Sequence, residues 1–335
     1  MKLLFIGGTG VISSACSWLA AERGADLYLL NRGQSSRPVP PSARLLPADI
    51  RDRNAAQAAL AGHTFDVVVD WIAYRPEHVE TDLALFAGRT GQYIFISSAS
   101  AYQTPPSSLP VTESTPLDNP FWEYSRLKIA CEERLVQAYR AEKFPVTIVR
   151  PSHTYDQTLL PVRGGYNLIH RFRQGKSVIV HGDGTSLWTL THHHDFARGF
   201  VGLLGEPRAI GESFHITSDE VLTWNQIYQI LARAAGAPAR LVHIPSEFIA
   251  AFDPDWGASL LGDKSHSLIF DNTKIKRIVP DYAATIPFAR GAEEIVAWYD
   301  ADASRQKLDE PFNRLWDQIL AAYHSAWPTS HPPTS

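Results

Sequence analysis

A chain of 335 residues with 44% hydrophobic and 20% charged residues has the composition of a folded globular protein, long enough for one large domain or two that share a cleft. Lys plus Arg number 31 against 35 Asp plus Glu, a net charge of -4 with no long basic run, so nucleic acid is a poor partner. Two cysteines, Cys16 and Cys131, are too few for a disulfide framework and suggest a reducing, cytoplasmic setting, and no apolar run approaches a membrane span or a signal-peptide core.

Residues 3–6 form an apolar run ended by glycines, the signature of a buried parallel strand. From there Val11, Ile12, Ala15, Trp18 and Leu19 fall at helical spacing, and Gly24 stands where that helix stops. A second strand is read at 27–30, Asp52 caps a helix over 53–61, and a further strand runs through 67–69. Pro76 opens a helix carrying Val79, Leu83 and Phe86 that closes at Gly88. Strand 93–96, a long helix over 122–142 and strand 146–149 follow. This alternation specifies an α/β fold with a Rossmann-type, doubly wound parallel sheet. After about residue 156 the alternation weakens into Pro-, Gly- and Trp-bearing loops around short helices such as 224–235 and 292–299. The sheet domain is therefore assigned 1–156 plus about 193–218, and a smaller C-terminal substrate domain about 157–192 plus 219–330. The Pro-, Ser- and Thr-rich tail, 328–335, is expected to fray.

Gly7-Gly8-Thr9-Gly10-Val11-Ile12-Ser13 places glycines between the first strand and the first helix, where backbone N–H groups and the helix dipole hold a pyrophosphate. Gly7 permits the tight turn, Gly10 lets phosphates approach, and Ser13 replaces the usual third glycine. At the end of the second strand, where ribose is recognised, the chain reads Asn31-Arg32 instead of an acid. An acid there repels a 2′-phosphate, whereas Arg32, with Arg37 nearby, pairs with one; this favours NADP over NAD, the other reading being a solvated loop arginine.

Tyr124 and Lys128 share one face of the long helix. An ammonium beside a phenol favours the phenolate, and such a tyrosine exchanges a proton with a substrate hydroxyl while hydride moves to or from a nicotinamide. That spacing arises constantly by chance; its context is the serine cluster Ser97-Ser98-Ala99-Ser100-Ala101-Tyr102 at the carboxyl end of a strand, where open α/β sheets bind ligands.

With these residues assembled, the sequence resembles the extended short-chain dehydrogenase/reductase family, in its NAD(P)-dependent epimerase/dehydratase branch, over most of the chain and most strongly over 1–156. The resemblance implies Tyr124 as catalytic acid/base, Lys128 as the group that tunes it and holds the nicotinamide ribose, and Ser98 as partner of the reacting oxygen. It also implies cofactor contacts from Gly7, Thr9, Gly10, Val11, Ile12, Asn31, Arg32, the adenine pair Asp49 and Ile50, then Trp71, Ile72, Ala73, Ser97, Pro151 and His153. Substrate contacts fall to Ser98, Ser100, Tyr102, His153 and Trp188. Relatives of this kind commonly dimerise through the helices matching 76–88 and 122–142, so a homodimer is the corresponding expectation.

Departures from the family pattern bear on the chemistry. Ala99 and Ser100 stand where sugar dehydratases carry an acidic pair, which disfavours dehydration. The arginines that clamp a nucleotide-sugar diphosphate are missing: Gly182-Asp183-Gly184-Thr185 leads to Trp188, and Leu260-Leu261-Gly262-Asp263 offers none. His153 stands where many relatives have asparagine. The substrate is then a carbohydrate other than a standard nucleoside diphosphate sugar, or one that Arg163, Arg171, Arg173 or Lys176 binds differently. An exposed Trp188 suits stacking on a sugar face; ordinary packing is the plainer reading. His192, His193 and His194 point in different directions, so no metal is expected, and Asp195 is read as the cap of a helix over 196–204. The whole reads as an NAD(P)-dependent sugar epimerase or oxidoreductase working by hydride transfer at a secondary alcohol or ketone. The alternative is a non-catalytic nucleotide-sensing or nucleic-acid-associated protein of the same fold.

Overall fold

The first apolar run is β1 (Lys2–Ile6), and it is buried on both faces because helices cover both sides of the sheet it founds. In the computed structural model, which describes residues 1–327, there follow α1 (Val11–Glu22), β2 (Asp26–Asn31), β3 (Arg44–Pro47), α2 (Arg53–Ala59) and β4 (Phe65–Asp70). Next come α3 (Pro76–Phe86), β5 (Thr90–Ile96), α4 (Glu123–Glu142), β6 (Val146–Pro151) and β7 (His153–Tyr155). The tail 328–335 lies outside the described residues.

Local signals explain the boundaries. Asp52 caps α2 by accepting the N–H groups of Asn54 and Ala55, both at 3.1 Å. Pro76 occupies the first turn of α3, where its missing N–H costs nothing. The short strand β3 is mostly exposed and carries no apolar run, so only its place beside β2 defines it.

Beyond β7 the chain forms α5 (Tyr166–Arg173), β8 (Val178–His181), β9 (Leu187–Trp188), β10 (Leu190–His192), α6 (His193–Val201) and β11 (Ser213–Ile216). It ends with β12 (Leu222–Thr223), α7 (Trp224–Ala234), β13 (Leu241–Ile244), α8 (Ser246–Ala250), α9 (Pro254–Ser259), α10 (Thr273–Ile278), α11 (Phe288–Asp300) and α12 (Glu310–Ser325). A wide, π-helical turn at Leu260–Lys264 continues α9.

Seven strands form one sheet in the order β11-β6-β5-β4-β1-β2-β3, every neighbouring pair parallel. Alternate residues of β1 serve opposite cores, as a period of two demands: Leu3 and Phe5 pack with Ala15, Phe196 and Phe200, while Leu4 and Ile6 pack with Val79, Leu83 and Leu135. A third core, around Trp224, Ile227, Ile295 and Trp316, holds the C-terminal half together, with the parallel pair β8–β13 at its edge. No described helix is long and apolar enough to cross a membrane.

The expected cap at Asp195 is corrected. α6 begins earlier, with His192 as its cap, and Asp195 is fully buried in the first turn. Its carboxylate accepts the Thr285 and Ile286 N–H groups at 3.2 and 3.0 Å and pairs with Arg198, so it fastens the C-terminal half to the sheet domain.

Gly8 shows how tightly the first turn packs. It has φ +82°, and a Cβ there would lie 2.7 Å from Cδ2 of the fully buried Leu29. Gly24 has nearly the same φ, +81°, with open space around it. Gly24→Ala therefore carries only the backbone cost, about 1 kcal/mol, and Gly8→Ala an overpacking cost of about 1–3 kcal/mol besides. Thermal unfolding followed by circular dichroism should show the larger loss for Gly8→Ala; equal losses would contradict the close approach.

Candidate active site

The carboxyl ends of β1, β2 and β4 border a groove of about 550 Å³ lined by Gly7, Thr9, Asn31, Arg32, Asp49, Ile50 and Ile72, with Gln34, Ser35, Arg51 and Tyr74. Open α/β sheets bind ligands on this side. Gly7, at φ +101°, turns the chain so that its N–H meets the Leu30 carbonyl at 2.9 Å. Ser17 Oγ holds the Gly8 carbonyl at 2.9 Å, and Ser13, in the third-glycine place, accepts the Gly10 N–H at 2.7 Å. Gly10 stays exposed at the opening of α1, and Val11 and Ile12 begin that helix half-buried. The open glycine turn, the helix start and the exposed apolar side chains of Ile72 and Tyr74 fit a dinucleotide.

Arg32 reaches the groove with 63% of its side chain exposed, 4.0 Å from Asp49. Arg37 does not join it: it pairs with Asp156 and donates to Thr158, tying the β2–β3 connection to the segment after β7. The second cation on the groove is Arg51, which sequence reasoning missed and which donates to the Ile72 carbonyl at 2.9 Å. Trp71 also departs from expectation. Its ring turns into the core, 4.7 Å from Phe200 and 5.5 Å from Phe5 between ring centres, because the strand end that exposes Ile72 points its neighbour inward.

A cavity of about 230 Å³ opens where β5, β6, β9 and the Leu260–Lys264 turn meet the start of α4. Ser98, Ser100, Trp122, Pro151, Ser152, His153, Trp188, Asp263, Lys264 and Phe270 are among its walls. Ser98 caps the short turn Ala99–Ala101, and its Oγ lies 2.9 Å from Ser100 Oγ, which accepts from Ser125 Oγ at 2.8 Å. Ser97, behind them, is buried and its hydroxyl has no partner among the described residues. Tyr124, in the first turn of α4, borders this wall between Trp122, Ser98 and Asp263.

Lys128 is buried one turn further on, donating to the carbonyls of Ala73 at 2.7 Å and Ile96 at 2.6 Å. This explains why Ala73, fully buried, matters through its backbone. The ammonium lies 5.8 Å from the centre of the Tyr124 ring. Burial pulls Lys128 down to about 8. Burial first, then the Asp263 carboxylate, push Tyr124 up to about 12, with the Ser98 hydroxyl pulling weakly the other way. The direction is opposite to the expected lowering of the phenol, and burial is its first cause.

His153 accepts from Trp188 Nε1 at 3.2 Å through Nδ1, which leaves the proton on Nε2. Burial, then Lys264, pull His153 down to about 3, so it is neutral near pH 7. Trp188 is only 3% exposed and packs 5.3 Å from Trp224, so it is a wall of the cavity and not an open stacking platform. Tyr102 is not on the cavity at all. It is fully buried, bonded to His215 Nδ1 at 3.0 Å, with Arg150 over its ring.

Of the arginines considered for substrate, Arg171 and Arg173 are bound to Asp317 and Asp300, both at 2.7 Å, away from the cavity. Arg163 lines an adjoining hollow but pairs with Asp253 at 3.0 Å, and Lys176 is exposed and lines neither. The cavity's own cation is Lys264, 3.3 Å from Asp263. Sequence reasoning missed it, together with Trp122, because nothing local links residues 122 and 264 to Ser98. In the histidine run, His192 Nε2 lies 3.1 Å from Glu294, and the described residues contain no group of three side chains able to hold a metal.

Residues 3–217 match the model of the NAD dependent epimerase/dehydratase family. The chain is 26% identical over 287 residues to 2′-dehydrokanamycin reductase of Streptomyces kanamyceticus, spanning 84% of this chain and 80% of that one. It is 28% identical over 268 residues to the chloroplast stem-loop binding protein of 41 kDa b of Arabidopsis thaliana, spanning 74% and 67%. Among solved structures, UDP-glucose 4-epimerase from Bifidobacterium longum, in complex with NAD+ and UDP, superposes with TM-score 0.73 at 19% identity over 91% of this chain and 100% of that one. The dTDP-glucose 4,6-dehydratase from Bacillus anthracis, in complex with NAD, gives 0.73 at 18% identity over 91% and 98%. At these identities the structural likeness is one of fold. The match over 3–217 identifies the chain as a member of the NAD dependent epimerase/dehydratase family, of the extended short-chain dehydrogenase/reductase type.

Proposed function

We propose that this protein is an NADP(H)-dependent reductase of a ketone on a carbohydrate that carries no nucleoside diphosphate. The observation that carries the reading is the cavity beside Tyr124: about 230 Å³, walled by Trp122, Trp188 and Phe270, its one cation already neutralised by Asp263. A diphosphate asks for bidentate guanidinium partners, and this cavity offers none among the described residues. The similarity to a reductase over 84% of the chain supports the same choice.

Gly7, Thr9, Asn31, Asp49 and Ile50, which line the groove, would hold the dinucleotide, the opening of α1 would take its pyrophosphate and Arg32 would pair with a 2′-phosphate. Bound there, the nicotinamide supplies the hydride. Ser98, fixed by its bond to Ser100, donates to the carbonyl oxygen of the substrate. Tyr124, a phenol held near 12, keeps its proton across the neutral range and gives it to that oxygen as charge develops. Lys128, as an ammonium, offsets the phenolate left behind.

Tyr124→Phe should lower kcat by about 100-fold or more while the Kd for NADPH, read by fluorescence titration, stays within about twofold. Substantial turnover would remove Tyr124 from the proton transfer. Arg32→Ala should weaken NADPH by about tenfold or more and NADH little; equal losses for both would make Arg32 a bystander. In a pH series, kcat for reduction should be level below about 8 and fall above it, because Lys128 loses its proton there. A rate that rises through that range would reverse the assigned role of the ammonium.

A further inference from the structure

Beside the cavity at Tyr124 lies a second hollow that the reaction as described does not use. It encloses about 200 Å³ and shares two walls with the cavity, His153 and Lys264. The His153 ring stands between the two. Trp188, which lines only the cavity, lies 6.2 Å from it between ring centres, and Trp224, which lines only the hollow, 6.4 Å. Nδ1 of His153 is taken by Trp188, so its one N–H, on Nε2, is offered at this partition and meets no acceptor among the described residues.

Most of the hollow's remaining wall is apolar. Leu160, Trp256 and Leu260 are buried, Val162 is half-buried, and Leu159, 42% exposed, stands at the mouth. Its cations are already paired, Arg163 with Asp253 at 3.0 Å and Lys264 with Asp263 at 3.3 Å. His181 gives its Nε2 proton to the Lys264 carbonyl at 3.0 Å, and burial pulls it down to about 4, so it is neutral near pH 7. The same carbonyl accepts from Ser186 Oγ at 3.0 Å and Trp224 Nε1 at 3.1 Å, which fixes the turn that both hollows share. One buried polar group is left over: the phenol of Tyr228, 4% exposed, is raised by burial alone and has no charged or hydrogen-bonded neighbour among the described residues.

An apolar cavity of about 150 Å³ takes a benzene ring, so the hollow has room for one six-membered ring with a small substituent. A phosphate or carboxylate would find no unpaired cation there. We propose that the hollow is the subsite for an uncharged, apolar ring attached to the carbohydrate, so that the substrate is a glycoside. Its sugar lies beside Ser98 and Tyr124, its aglycone against Trp224, Tyr228 and Trp256, and the oxygen that joins them meets the His153 N–H. The inference rests on the reading of the cavity as a carbohydrate site and adds the other half of the substrate.

4-Fluorobenzyl alcohol, an apolar ring with one hydroxyl, probes the hollow in the full-length protein through its fluorine NMR line width. It should bind saturably at millimolar concentration, and Val162→Phe, which fills the hollow from a half-buried loop position, should weaken it by about fivefold or more. A second readout needs only the parent: phenyl β-D-glucopyranoside or phenyl β-D-galactopyranoside should displace the probe at a concentration about tenfold or more below that of the methyl glycosides. No saturable binding, binding that Val162→Phe leaves unchanged, or displacement by phenyl and methyl glycosides alike overturns the proposal. Uridine that displaces the probe better than the phenyl glycosides overturns it too, by making the hollow a nucleoside site. None of these readouts is turnover, so a parent that binds the probes yet reduces no keto sugar would count against the reductase assignment alone.

Discussion

One buried ammonium organises the centre of this protein. Lys128 can be held on the carbonyls of Ala73 and Ile96 only if the ends of β4 and β5 lie side by side and α4 crosses them at the right height. Desolvation works against that charge, and the carbonyls offset it. Tyr124, one turn earlier on the same helix, is thereby carried to the wall that Ser98 and Asp263 share. The groove at Gly7 and Ile72 and the cavity at Ser98 and His153 flank this point, so the two hollows are joined through it.

Much of this was legible in the sequence, and the reasons differ by residue. The strands and helices of the sheet domain follow from apolar periodicity and from local punctuation such as Asp52 and Pro76, which act within a few residues. Gly7, Thr9, Asn31, Arg32, Asp49, Ile50 and Ile72 line one groove because a strand end and a tight turn fix them locally. What could not be read depends on distant partners. Arg37 is drawn away by Asp156, Trp71 by Phe200, and Tyr102 by His215. Asp195 has the composition of a cap, yet tertiary contacts with residues 285 and 286 claim its carboxylate. The sign of the Tyr124 shift was missed because burial cannot be seen in an i, i+4 spacing.

The cavity has a different logic from the groove. The groove is long, open and marked by Arg32 and Arg51, which suits a charged dinucleotide. The cavity is small, aromatic and nearly neutral, since Lys264 and Asp263 face each other and His153 is uncharged. A neutral aromatic cavity selects by shape and hydroxyl bonding, which suits a sugar ring. Family membership leaves room for this, because proteins named as epimerases, dehydratases and a reductase are among the relatives and structural neighbours of this chain.

Whether the cofactor is a co-substrate or a permanent resident separates a reductase from an epimerase built on the same residues. The most direct measurement is mass spectrometry of the nucleotide released on denaturing the purified protein, before and after dialysis. This account predicts NADP(H) that dialysis removes and that added NADPH restores. Stoichiometric NAD that survives dialysis would contradict it, and would make the protein an epimerase that returns the hydride it takes.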